Sequence, residues 1–140
     1  MGDHKYARAR IEVRTSLPSC DAMTLATRVA EATRVTGWKY NKKVAVRLVE
    51  TSPTRATFEI GQKRPLLVFD VHVGDVEQGS WLVSEITGYT TTQDTIGGFI
   101  PAGAKNMEGY PWYRQFMVNL AATVGSADPA STVTMVEREA

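Results

Sequence analysis

Between Tyr6 and Leu17 the residues alternate, with Ala7, Ala9, Ile11 and Val13 set against Arg8, Arg10, Glu12 and Arg14. A period of two marks a strand with one face buried and one in water. Pro18 and Ser19 punctuate, and Ser19 or Asp21 is suited to cap a helix by accepting a backbone N–H. From Asp21 to Thr36 the period turns helical: Ala22, Leu25, Ala26, Val29, Ala30 and Ala32 share a face, and Gly37 is a suitable stop. Ala22, Ala26 and Ala30 form a ridge of small side chains, so this helix can lie close against whatever it covers.

A run of strands follows. "KKVAVRLVET" ends at the Ser52-Pro53-Thr54 turn, and "RATFEIG" turns Ala56, Phe58 and Ile60 inward. After "QKRP", "LLVFDVHVGDV" puts Leu67, Phe69, Val71 and Val73 on one face. "SWLVSEITGYTTTQD" returns across Glu77-Gln78-Gly79. Turns this short join antiparallel neighbours, so the run reads as a meander. The last long element spans about Pro111 to Val124, where Tyr113, Phe116, Met117, Leu120, Ala121 and Val124 form a helical stripe broken by one charge, Arg114. Proline suits a first helical turn, which has no N–H partner to lose. "GSADPAS" reads as a linker, and residues 127–140 as a tail in preference to an edge strand.

These elements make a single α+β domain over residues 1–140, with an ordered core over about 7–126. The order of strand, helix, antiparallel strands and long C-terminal helix resembles the helix-grip fold of the START-related superfamily, which includes polyketide cyclases and lipid-transfer proteins. That resemblance implies an antiparallel sheet wrapped around the final helix, with an apolar cavity between them. Five or six strands are read here where seven are usual, and one helix precedes the meander where two are common.

"GGFIPAGAKN", from Gly97 to Asn106, has the look of a phosphate-binding loop. A P-loop requires lysine directly after its last glycine and then a hydroxyl residue for magnesium. Here Ala104 separates Gly103 from Lys105, and Asn106 stands where the hydroxyl belongs. The preceding run is hydrophilic rather than a buried parallel strand. The glycines are expected to serve a loop.

Composition narrows the classes further. Residues 1–64 hold 13 of the 16 Lys and Arg but 6 of the 15 Asp and Glu, giving a basic first half and an acidic second. The basic charges alternate with apolar residues as on a solvated sheet face, so no nucleic-acid partner is expected. No apolar run is long enough to span a bilayer. One cysteine, Cys20, permits no intrachain disulfide and fits a cytoplasmic compartment. It is expected to be a buried, inert thiol. No metal site is expected either, because His4 and His72 are the only histidines.

Two groups remain as candidate chemistry. Asp70 and His72, two apart in a strand, share a face that Glu85 can join from the next strand. A carboxylate beside histidine is the arrangement of a general base. If Phe69 and Val71 point inward, as the alternation favours, this pair is solvated. Trp81, Trp112, Tyr113, Phe116, Met117 and Leu120, with Trp38 and Tyr110 nearby, can line a pocket for a planar or lipid-like molecule. The expectation is therefore a binding protein for a small apolar molecule, without a cofactor. The alternatives are an interaction module that dimerises through an exposed edge, and an acid–base enzyme acting on a hydrophobic substrate.

Overall fold

A computed structural model describes residues 4–36, 43–96 and 100–138, with residues 92–96 and 100–106 described by their backbone alone. Gly37 and Trp38 lie outside the described residues. The elements run β1 (Arg10–Thr15), α1 (Ser19–Ala32), β2 (Ala45–Thr51), β3 (Arg55–Gly61), β4 (Pro65–Val76), β5 (Gly79–Tyr89), β6 (Thr91–Ile96), β7 (Ile100–Met107), α2 (Tyr110–Ala127) and β8 (Thr132–Val136). Six strands form one antiparallel sheet in the order β2-β3-β4-β5-β1-β8, and β6 and β7 form a separate hairpin. An N-terminal strand and helix precede the meander and a C-terminal helix follows it, giving the expected α+β class.

The alternation places the core. Ile11, Val13, Ala56, Phe58, Ile60, Leu67, Phe69, Val71, Val73 and Leu82 are buried on one face of the sheet. Both helices lie against that face: α1 packs on β2, β4 and β5, and its neighbour α2 packs against β1. The alanine ridge of α1 is buried as its spacing predicts, with Ala26 and Ala30 fully so. Neither described helix lies on the opposite face of the sheet. At the β4–β5 turn, Gly79 takes φ +144°, and a side chain there would collide with the Thr15 carbonyl. Only glycine meets both conditions.

Several boundaries differ from the reading of the sequence. Pro18, not Ser19 or Asp21, is the N-cap of α1, and no side chain caps it. The Asp75 carboxylate, near the end of β4, instead accepts the Ser19 N–H at 3.3 Å. The helix ends at Ala32 rather than Thr36, because buried Thr33 turns extended and returns its hydroxyl to the Val29 carbonyl at 2.7 Å. "SWLVSEITGYTTTQD" is two strands, since β5 ends at Tyr89 and the chain then leaves for the hairpin. The expected loop after Ile100 is β7, paired with β6. β6 is too hydrophilic, and β7 too rich in Pro, Gly and Ala, to show the alternation that betrays a buried strand. Residues 132–136 are not a tail, since they pair with β1 from Arg14↔Thr132 to Arg10↔Val136.

Candidate functional site

The alternation that buries Phe69 and Val71 turns Asp70 and His72 to the opposite face of the sheet. Cross-strand register then brings Thr57, Asp70, Glu85 and Arg10 into one row, and places His72 beside Val83 in the next. His72 Nε2 stands 3.8 Å from Asp70 Oδ2 and 3.5 Å from Glu85 Oε1. The Thr57 hydroxyl donates to Asp70 Oδ1 at 2.6 Å. Asp70 is 8% exposed although it faces away from the helices, because its row neighbours enclose it. This is a histidine held between two carboxylates, with one carboxylate anchored, which can orient the imidazole and carry a proton. Glu85 joins the pair as the short turn between the strands predicts. The cluster lies across the sheet from α2, so no acid–base group of this set faces the apolar layer.

The layer between sheet and helices is built from α2. Its eighteen residues carry one charge, Arg114, so most of its circumference costs little to bury. Tyr113, Phe116, Met117 and Leu120 are fully buried and Trp112 is 5% exposed. The Phe69 ring lies 5.0 Å from that of Tyr113 and 4.8 Å from that of Phe116, and stacks on Phe58 at 5.1 Å. One polar group sits within these rings. The Tyr113 hydroxyl donates to the Ala9 carbonyl at 3.3 Å and lies 3.1 Å from the Ser84 hydroxyl. Burial pushes its pKa well above the usual phenol value, against the Ser84 hydrogen bond that favours the anion. A groove of about 550 Å³ at the β3–β4 turn, lined by Val44, Gln62, Lys63, Arg64 and Leu66, meets the core at Val44.

Trp81 is not among these residues. It stands on the outer face opposite Gly74, where a β-carbon on Gly74 would lie 2.5 Å from each of three contiguous indole atoms. Equal distances to three contiguous atoms place that point above the ring plane, so the indole lies flat over the glycine. Around it is a second groove of about 410 Å³, lined by Glu12, Val13 and Arg14 of β1, Trp81 and Val83 of β5, and Thr132 and Thr134 of β8. Thus five of the six residues expected to line a pocket meet on α2, and the sixth faces away. Cys20, expected to be buried, is exposed on the first turn of α1.

Sequence reasoning passed over two further clusters. Tyr6 stacks on Tyr110 with centroids 4.1 Å apart, and Arg138 reaches over Tyr6 at 5.9 Å. Glu137 accepts from both the Tyr110 hydroxyl at 3.0 Å and Arg114 Nε at 2.6 Å. Burial, then Glu137, raises the Tyr110 pKa. Arg114, the one charge of α2, is therefore ion-paired. The second cluster centres on Asp128, which follows α2. Its carboxylate accepts the Thr15 hydroxyl and the Ser16 N–H, both at 2.8 Å, and the Ala130 N–H at 3.2 Å. These hydrogen bonds, led by the one from Ser16, hold it below the usual carboxylate range. The signal for both clusters was Glu and Asp in segments read as tail and linker.

Among the described residues no group of three or more His, Cys, Asp or Glu is placed to hold a metal ion, and no helix is long and apolar enough to cross a membrane. No family model, curated protein or solved structure matches the chain.

Proposed function

We propose that this chain is a binding protein for a small hydrophobic molecule, held between the sheet and α2 in the manner of the helix-grip proteins it resembles. The observation that carries this reading is α2 itself, an eighteen-residue helix with a single charge whose aromatic and thioether side chains face an antiparallel sheet. The Tyr113 and Ser84 hydroxyls supply one polar contact inside an otherwise apolar layer, the pattern by which such pockets orient a ligand. The β3–β4 groove offers a way in, since it meets the same core at Val44. Ring contacts at Phe69 fill the centre of the layer, so a ligand displaces side chains rather than water as it enters.

Among the described residues only Val49 and Val76 are exposed large hydrophobics. Two isolated valines do not make the apolar patch on which a dimerisation module would rely. The check is native mass spectrometry of the purified protein, under gentle and then denaturing conditions. A mass increment lost on denaturation is expected, with the released molecule partitioning into organic solvent. Protein that is bare as purified, and that takes up no apolar probe such as 8-anilinonaphthalene-1-sulfonate in its folded state, sinks the reading.

A further inference from the structure

The groove around Trp81 is separate from the apolar layer, on the opposite face of the sheet, and its lining is of another kind. One flat aromatic surface, the indole on Gly74, is bordered by a carboxylate, a guanidinium and two hydroxyls. Register fixes their places: Trp81 pairs with Arg14, which pairs with Thr132, and Val83 pairs with Glu12, which pairs with Thr134. Glu12 and Arg14 are opposite charges two residues apart on the same face of one strand, yet they do not pair with each other. Among the described residues none of the Glu12, Arg14, Trp81, Thr132 and Thr134 side chains makes a hydrogen bond or an ion pair. The groove thus holds donors and acceptors facing a common space beside a partly exposed ring.

We propose that this groove binds a neutral pyranose sugar. A pyranose with equatorial hydroxyls has an apolar C–H face matched to an indole plane, and a rim of hydroxyls that both donate and accept. Glu12 accepts from such a rim, Arg14 and the indole N–H donate to it, and the threonine hydroxyls do either. The lining has one aromatic plane and not two, which suits a ring with one apolar face better than a nucleobase, which is flat on both sides and gains most between two platforms. The two charges are opposite in sign, so a neutral ligand uses both, whereas an anion or a cation is opposed by one of them. The groove runs out to β8 at the sheet edge, which leaves room for a chain of sugars to extend.

The test is a titration of ¹⁵N-labelled protein with cellohexaose to about 10 mM, a range that reveals millimolar affinities. The indole N–H resonance of Trp81, assigned through Trp81→Phe, is expected to shift, while that of Trp112 stays. Glu12→Gln should weaken binding severalfold, and Trp81→Ala at least about tenfold, in line with loss of a stacking platform. Because Trp81→Ala also uncovers Gly74, Glu12→Gln is the variant that tests the site with the fold intact. Affinity that is unchanged in 0.5 M NaCl, where exposed charge contacts are screened within about 4 Å, supports the sugar. A silent Trp81 resonance overturns the proposal. So does an equal response to adenosine monophosphate, or a Trp81 shift that salt abolishes, since either assigns the groove to a charged or planar ligand. None of these outcomes bears on the reading of the α2 layer, which is probed by a different ligand on the other face.

Discussion

Successive residues of β4 lead different lives. Phe69 has no exposed surface and touches three rings, whereas Asp70 on the far face is enclosed only by a threonine, a histidine and a glutamate row. The inner face gains its energy from packing, which is non-directional and scales with area. The outer face is a set of polar pairs in contact with water, each worth little. Stability is therefore expected to reside on one side of the sheet and recognition of polar ligands on the other.

The sharpest way to break that contrast is to truncate at the centre of the inner face. Phe69→Ala removes a ring that packs against Phe58, Tyr113 and Phe116, and should cost about 3–5 kcal/mol in urea unfolding. Val68→Ala, one residue away on the outer face, should cost less than about 1 kcal/mol. Equal losses would show that the two faces are not energetically distinct.

A smaller effect sharpens the role of the polar group inside the apolar layer. Tyr113→Phe removes the hydroxyl that meets Ser84 and Ala9, and should cost about 1–2 kcal/mol. Its pH dependence has a definite sign. Tyr110 and Tyr113 bind their protons more tightly when folded, so their stabilising contribution is intact below the ordinary phenol value of 10 and falls away as pH rises beyond it. Absorbance at alkaline pH should show two tyrosines, Tyr110 and Tyr113, ionising only as the protein unfolds. In Tyr113→Phe the number falls to one. Early ionisation of both would mean the hydroxyls are in contact with solvent. Least is expected of the outer face: Glu59→Gln dismantles the 3.5 Å pair with Arg47, and should change stability by no more than about 0.5 kcal/mol.

The inner face was legible because its signal is local. Ala56, Phe58 and Ile60, then Leu67, Phe69, Val71 and Val73, announce both the strands and the side they bury. The three-residue stretch at 77–79 fixes the register that brings Glu85 to His72. The Trp81 groove was not legible, for it joins positions 12 and 14, 81 and 83, and 132 and 134 from three strands. Their adjacency depends on the order β5-β1-β8, which no short-range pattern encodes. Trp81 was grouped with the α2 aromatics by residue type, and only the pairing with Gly74 separates it. β7 and β8 escaped because β7 holds a proline and a glycine among small residues, and β8 is a five-residue edge whose exposure alternates only weakly.

The position of β1 also bears on the order in which the sheet is made. It is the earliest strand of the chain yet sits inside the sheet, flanked by β5 and β8, whose partner residues lie at 80–85 and 132–136. A nascent chain therefore carries β1 with both ladder edges empty until β5 has been synthesised, and keeps one edge open until β8 follows. Pairings so distant in sequence close large loops and come late. Meanwhile the hairpins of β2 to β5 can form as they emerge. Insertion of β1 is then the step that joins the meander to the C-terminal segment, and the interval before it is when the chain is most exposed to pairing with a neighbour's strand.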